Sequence, residues 1–370
     1  MNITAIDIHK LNVSFEYPTK TPIGTLESAQ NVLVKITTDS GLYGWGEASP
    51  FAPITGDSQQ SNFITAGQLA ELIKGKNALD TEGLMHAINR FTVAEPSIRS
   101  AFDMALYDLR AKAAGLPLYA LLGGGRRELR TDLTIGMQNS VEETVACAER
   151  ILAKGFNAIK MKVGRPDLAD VAHVAAVRKL AGADVAIKVD SNQGWSYQDA
   201  VQNILAMAPL KLQYSEQPIA AWDYDNLRRL RDKVSLPICA DESLFDDRDA
   251  LKLVSSGAAD YLNIKLGKSG GIHTALNINA IAQAAGCRCM IGCFAESRLA
   301  LSAAAHLAMA RPNIHFLDLD SAFNFNEDPV LGGMTYDEEI GGLLHLPETP
   351  GHGADIDENF LAGAEHQRIA

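Results

Sequence analysis

The sequence predicts an α/β protein: a (β/α)8 barrel with an α+β capping domain built from the N-terminal segment and the C-terminal tail. Three observations carry this. Beyond about residue 125, short apolar strands that end in a polar or charged residue alternate with amphipathic helices, eight times over. Such alternation implies parallel strands joined by crossover helices, and eight units of roughly 25–30 residues are what a closed barrel requires. Before that point the order is strands first and helices after, the mark of a separate α+β unit. Third, charged residues at the strand ends recur at intervals of one βα unit.

With 370 residues, 47% of them hydrophobic, the chain is long enough for a barrel plus a smaller partner and can bury a core in each. The first domain, residues 1–125, opens with alternating strands at 4–13, 31–37 and 42–47, with a turn at Asp39, Ser40 and Gly41 between the last two. A helix follows at 98–114, where Ala101, Met104, Ala105 and Leu109 keep helical spacing. Pro117 and the run Gly123, Gly124 and Gly125 break the pattern.

The barrel, residues 126–344, has strands at 131–136, 158–163, 184–190, 211–216, 238–241, 261–265, 289–292 and 315–318. Helical patterns lie between them, for example at 141–153, 168–180, 223–231, 246–255 and 272–285. An open doubly wound sheet is the rival. It would show a Gly-rich phosphate loop after its first strand, and the run from Gly136 to Asn139 is not one. The tail, 345–370, contains Pro347, Pro350 and Gly351 and is expected to pack back on the first domain.

Net charge is −12, from 33 basic and 45 acidic side chains. No basic excess is present to meet phosphates, which argues against nucleic acid as a partner. No apolar run approaches the roughly 18 residues of a membrane helix. The first ten residues lack the basic-then-apolar order of a signal peptide. Five cysteines, at 147, 239, 287, 289 and 293, form no CxxC pair; Cys287, Cys289 and Cys293 sit in an apolar, strand-like run and read as buried free thiols rather than metal ligands. A reducing cytoplasm is the simplest compartment.

The chemistry is written at the strand ends. Lys160 and Lys162 close the second strand, Asp190 the third, Glu216 the fourth, Asp241 the fifth and Lys265 the sixth. Side chains alternate along a strand, so the two lysines of the second face the same way. From Lys162 to Asp190 is 28 residues, then 26, 25 and 24 to Glu216, Asp241 and Lys265. Each step is one βα unit, so these groups converge on the C-terminal mouth, where barrel enzymes keep their chemistry. A single acid at a strand end is usually a helix cap, and a lone lysine a solvated side chain; the joint spacing is not explained that way.

Three carboxylates at close quarters repel one another, and a divalent cation resolves this. Hard oxygen ligands with room for water suit one Mg²⁺, and no thiolate or imidazole ends these strands to suggest zinc. Lys162 and Lys265, on strands two and six, lie across the barrel from each other. A substrate carboxylate on the metal would place its α-carbon between them. Lysine titrates near ~10.4, and a nearby cation with burial lowers this so that one lysine can act as base. Lys160 and the metal stabilise the enediolate left behind. Two opposed lysines remove a proton from one face and return one to the other, which inverts the centre.

The run Lys160, Lys162, Asp190, Glu216, Asp241 and Lys265 resembles the enolase superfamily in its muconate-lactonising branch, over essentially the whole chain. The resemblance, rather than the spacing, supplies that superfamily's mechanism of a base with Mg²⁺ stabilising an enediolate. It implies metal ligands at Asp190, Glu216 and Asp241 and acid/base lysines at 162 and 265. A mandelate-racemase-like site is disfavoured, because that branch has a His–Asp pair where Lys265 stands. The eighth strand refines the resemblance. Asp318 and Asp320 share one strand face and make a cradle for a cation. In the dipeptide epimerases of this family a matching pair binds the substrate's α-ammonium group, so the resemblance implies two-base epimerisation at the C-terminal residue of a dipeptide. The alternative is that the two acids cap a loop or pair with a neighbouring base.

Specificity is expected from two capping-domain loops, near 17–25 and 51–55, that bring Ile23, Gly24, Phe51 and Ile54 to the substrate. Epimerases acting on Ala-Glu can carry an arginine where Gly24 falls. Its absence favours small or hydrophobic dipeptides; Lys20 is the nearest base that could still accept a glutamate. The apolar residues alternatively do no more than pack between domains. Phe294 and Glu296, after the seventh strand, are placed with the substrate-binding residues, and so is Lys160. Arg298 is expected to fix Glu296 or Glu242. Similar barrels are commonly oligomers, which favours an assembly over a monomer. Two other functions compete: an N-acylamino acid racemase, succinylbenzoate synthase or cycloisomerase of the same branch, which does not need Asp318 and Asp320, and a non-catalytic binding barrel.

Overall fold

In the computed structural model, which describes residues 1–370, the N-terminal alternation produces a four-stranded antiparallel sheet. Ile3–Thr21 pairs with Gly24–Thr38, which pairs with Tyr43–Ala48. At the other edge His366–Ile369, from the tail, pairs with residues 6–9. One sheet face carries Ile6, Ile8, Val32, Val34 and Ile36 into a core shared with the helices Gln59–Ile73 and Pro96–Ala114. The opposite face, with Leu11, Val13, Leu33 and Trp45, belongs to the barrel core. Burial on both faces holds this sheet between the two cores, since each apolar face withdrawn from water stabilises the docked state.

Residues 17–25 are not the expected loop. They form the tip of the long hairpin, where Thr19 pairs with Leu26, Lys20 with Thr25 and Thr21 with Gly24. The register shifts between Ser14 and Thr19. That irregularity interrupts the period-two pattern on which a strand reading depends. Asn324 clasps the tip: its Nδ2 donates to the Tyr17 carbonyl at 2.7 Å and its Oδ1 accepts from the Tyr17 N–H at 3.1 Å. Residues 52–55 form a single helical turn after Phe51, with Pro53 in its first turn.

The barrel strands are Leu133–Ile135, Ala158–Lys162, Ala186–Asp190, Ser215–Glu216, Ile238–Ala240, Tyr261–Ile264, Arg288–Ile291 and Ile314–Leu317, in one parallel sheet in chain order. The seam between the eighth and first strands closes through side chains. Leu319 N–H donates to Thr131 Oγ1 and Thr134 N–H to Asp320 Oδ2, both at 2.8 Å. The helices start where local caps meet their free N–H groups. Ser140 caps Val141–Ala153, Asp223 caps Tyr224–Lys233 and Asp246 caps Asp247–Ser256. Beneath the mouth the interior is filled. Tyr214, Cys239 and Met290 form a buried cluster, and Lys188 lies over the Tyr214 ring, ion-paired with Asp132. The five cysteines are free thiols; Cys289 is buried as expected, whereas Cys287 and Cys293 are only partly so. No helix is long and apolar enough to cross a membrane.

Arg298 does not hold Glu296 or Glu242. Its guanidinium donates to Asp328 Oδ2 at 2.5 Å and to the carbonyls of Val330, Gly332 and Met334 at 2.5–2.7 Å. Its planar fork of donors matches this turn of backbone acceptors. Arg298→Ala leaves those carbonyls short of partners and is expected to lower stability by about 3 kcal/mol. Turnover per folded molecule should stay within about threefold of wild type, because Arg298 is absent from the cavity wall. Denaturant melts beside initial rates check both.

Candidate active site

Strand register assembles the site. Lys162 pairs with Asp190, and Asp190 with Glu216, at the C-terminal ends of strands two, three and four. After Glu216 the chain turns through Gln217, whose buried amide braces the next loop. Its Oε1 accepts from the N–H groups of Asp241 and Ser243 at 2.9 and 3.1 Å. Asp190, Glu216 and Asp241 are each fully buried, and one oxygen from each lies within 4.8 Å of the others.

Buried carboxylates need positive charge or hydrogen bonds. Here four lysines supply most of it. Lys160 Nζ lies 3.0 Å from Asp190, 2.9 Å from Glu216 and 2.7 Å from Asp318. Lys162 reaches Asp190 at 2.6 Å. Lys265 and Lys268 flank Asp241, one on each oxygen, at 2.9 Å. Burial would raise Asp241, but these two lysines outweigh it and hold the carboxyl far below its ordinary range. Glu216 behaves differently: burial, then the charge of Asp190, pushes it up to about 7. Glu216 Oε2 and both oxygens of Asp241 are approached only by ammonium groups, without hydrogen-bond geometry. Three converging all-oxygen donors, two of them under-satisfied and Asp190 met by Lys162 and the Asn192 N–H, fit a hard divalent cation such as Mg²⁺. A second acidic cluster, Asp132, Asp318 and Asp320, already holds the buried ammonium groups of Lys160 and Lys188.

Without a cation on the carboxylates, Lys265 is held above the ordinary range of lysine. Burial lowers Lys265, as anticipated, but the ion pair with Asp241 more than offsets it. Room for this side chain comes from Gly292, since a Cβ there would fall 2.9 Å from Asn263 Oδ1 and 3.1 Å from Lys265 Cε.

A cavity of about 630 Å³ opens between cap and barrel. Lys162, Lys265, Phe294, Asp318 and Asp320 line it from the barrel; Ile23, Phe51 and Ile54 line it from the cap. Three residues grouped with these by sequence do not reach its wall. Lys160 is drawn beneath it by three carboxylates. Gly24 closes the hairpin turn, while its neighbour Ile23 faces the cavity. Glu296 is buried behind Phe294, and burial with the nearby Glu47 carboxyl raises it to about 8, so it is largely uncharged at neutral pH.

Asp318 and Asp320 differ in how free they are. Asp318 is paired with Lys160, and although burial raises it, Lys160 and Lys188 hold it low. Asp320 spends Oδ2 on Thr134 N–H, while Oδ1 accepts only a long hydrogen bond, from the Cys293 thiol at 3.9 Å. Burial and then Asp318 push Asp320 up to about 6.

Sequence reading missed several supporting groups. Asn263 donates to Glu216 Oε1 at 2.7 Å, and Asn192 to Glu242 Oε1 at 3.0 Å. Lys268 is enclosed and donates to the carbonyls of Asp241, Leu244 and Asn263 at 2.6–2.8 Å. Asn263 and Lys188 were accessible to alternation, each lying two residues before a site group. Lys268 was not, because a turn separates it from the strand.

Comparison with known proteins matches residues 3–123 to the mandelate racemase / muconate lactonizing enzyme N-terminal domain and residues 143–360 to the enolase C-terminal domain-like family. The chain is 40% identical to the L-Ala-D/L-Glu epimerase of Bacillus subtilis, over 99% of this chain and 100% of that one. It is 39% identical to a hydrophobic dipeptide epimerase of Enterococcus faecalis, over 95% and 99%. The crystal structure of a dipeptide epimerase from Cytophaga hutchinsonii, complexed with Mg and the dipeptide D-Ala-L-Val, superimposes with a TM-score of 0.97 at 38% identity, covering 100% of both chains.

Proposed function

The chain belongs to the mandelate racemase / muconate lactonizing enzyme family of the enolase superfamily, and from that premise we propose that it is a Mg²⁺-dependent dipeptide epimerase acting at the α-carbon of the C-terminal residue. The observation that carries this reading is the meeting of Lys162 and Lys265, from opposite strands, in one cavity with Asp318 and Asp320. One lysine takes the α-proton from its face at Nζ, and the other delivers a proton from the opposite face; the roles reverse for the other epimer. Asp190, Glu216 and Asp241 would hold Mg²⁺, which when bound supplies the positive charge that stabilises a carboxylate gaining electron density as the proton leaves. Lys160 fixes Asp190, Glu216 and Asp318 relative to one another. Asp320 Oδ1 accepts from the substrate's α-ammonium group.

The apolar wall of Ile23, Phe51, Ile54 and Phe294 supports small or hydrophobic dipeptides, and Gly24 brings no charge to it. Lys20 also lines the cavity and is the residue through which Ala-Glu would bind. We assign residues 1–125 with the tail 345–370 to the cap and 126–344 to the barrel. An oligomer of this chain in the cytoplasm completes the proposal.

The test is incubation with Mg²⁺ and a dipeptide library in D₂O, read by mass and by the α-proton signal. Gain of one deuterium at the C-terminal residue, best with apolar side chains, is expected. Preference for acidic dipeptides would overturn the apolar reading; exchange of N-acyl amino acids alone would overturn the dipeptide while leaving the lysines and metal standing. Asp320→Asn should lower kcat/KM for dipeptides by about 10- to 100-fold, the value of a charge-assisted hydrogen bond, and spare any turnover of N-acyl substrates. Equal loss on both substrate types would remove Asp320 from ammonium recognition.

A further inference from the structure

Two carboxylates from the cap reach the N-termini of two successive barrel helices, and both bear on Lys265. The helix Ile272–Ala284 follows the segment 265–271, and its N-cap is Gly271, which has no side chain to cap with. Asp103, on the cap helix Pro96–Ala114, takes that place: its Oδ2 accepts from the N–H groups of Ile272 and, at 3.3 Å, His273. Gly271 lies at φ +117°, and a Cβ there would fall 2.4 Å from Asp103 Cβ, so only glycine permits the approach. Between Asp103 and the site lies one short helical turn, Leu266–Ser269, with Lys265 before it and Lys268 within it. These two lysines hold the two oxygens of Asp241.

Glu47, at the end of Tyr43–Ala48, does the same for the next helix, Arg298–Ala310. Its carboxylate accepts from Ser297 N–H at 2.9 Å, Ser297 Oγ at 2.6 Å and Ala300 N–H at 3.1 Å. Asn31 donates both to Glu47 at 2.6 Å and to the Ala295 carbonyl at 2.7 Å. This fixes the segment bearing Phe294, whose ring lies 4.7 Å from Lys265 Nζ and 6.3 Å from the ring of Phe51 in the cap. The segment after Lys162 takes its carboxylate hydrogen bonds from within the barrel, where Asp170 accepts from the N–H groups of Gly164 and Arg165 at 2.9 and 2.6 Å; the cap meets it through an apolar contact, the Pro22 ring against Gly164.

The geometry points to Asp103 and Glu47 as positioning residues through which the capping domain sets Lys265, and not Lys162. The inference rests on the two-lysine reading above. A misplacement of about 1 Å at a reacting group can cost up to about a hundredfold in rate. Because the two lysines serve opposite faces, loosening one leaves a directional signature. The epimer deprotonated by Lys162 should still lose its α-proton and regain deuterium on the same face, while delivery from Lys265 slows.

The experiment uses the full-length protein with Mg²⁺ in D₂O, and the two epimers of L-Ala-Leu separately, following inversion and deuterium gain without inversion. In Asp103→Ala, the ratio of exchange to inversion should rise about tenfold or more for one epimer, while for the other both rates fall together. Asp103→Asn, whose amide oxygen still accepts from Ile272, should stay nearer the wild-type ratio. Glu47→Gln keeps the test open should Asp103→Ala not fold; it retains one acceptor but turns an amide N–H toward Ala300, and should shift the ratio in the same direction. Equal loss for both epimers, or no change in either ratio, overturns the inference. A wild-type protein that exchanges neither epimer overturns the two-lysine reading instead, and this inference with it.

Discussion

Lys162→Ala protein is expected to stop inverting its dipeptide, by at least about a thousandfold, yet to keep exchanging the α-proton of one epimer with solvent. Lys265→Ala should show the mirror pattern and keep exchange of the other epimer. Inversion needs both faces served, so either deletion blocks it. Exchange with retention needs only the lysine on the face from which the proton leaves. Neither deletion leaves a buried acid without positive charge: Asp190 keeps Lys160 at 3.0 Å, and Asp241 keeps Lys268 at 2.9 Å. Both variants should therefore fold, and circular dichroism melts will separate chemistry from stability. Loss of all exchange from both epimers in each single variant would sink the two-base mechanism, since it would make the lysines one catalytic unit rather than two.

Removal of divalent cation with EDTA is expected to abolish turnover while moving Tm by no more than a few degrees. A structural metal site usually loses its fold with its ion, because the ion alone neutralises its ligands. This site is built otherwise. Asp190 meets Lys160 and Lys162, Glu216 meets Lys160 and Asn263, and Asp241 meets Lys265 and Lys268. Protein cations thus carry much of the load. Mg²⁺ restored in excess should recover activity, and Tm should rise with its concentration by mass action. Activity that persists in EDTA after extensive dialysis would remove the metal from the mechanism; collapse of the fold would show that the lysines do not suffice.

Both predictions were legible from the chain because their residues obey one rule. Strand-end groups repeat once per βα unit, and parallel strands in register bring such groups side by side. Lys162, Asp190 and Glu216 meet for that reason, and the ladder pairs them residue for residue. Asp318 and Asp320 were readable by alternation, though not their inequality. Which acid is free depends on Lys160 and Thr134, on the second and first strands, and no local pattern reports contacts that far apart in the chain.

Other features escaped for definable reasons. The hairpin tip was read as a loop because its register shift breaks the alternation. Arg298 was assigned to Glu296 or Glu242, but its partners are Asp328 and three backbone carbonyls, all thirty or more residues on, and no side-chain pattern marks the carbonyls. Lys160 was placed against substrate because it shares a strand face with Lys162. Three carboxylates, each from a different strand, draw it under the floor instead.

The sequence by itself determined the barrel, its cap, the order of strands, and the set of acids and lysines at the mouth. These follow from periodicity and spacing, which are properties of the chain taken a segment at a time. Only the tertiary structure decided which charges neutralise which, which residues face the cavity, and how cap acids reach the helices behind Lys265. Those depend on distances between segments far apart in sequence, and in a buried site of low dielectric an ångström of separation decides whether a lysine is a counter-ion, a brace or a base.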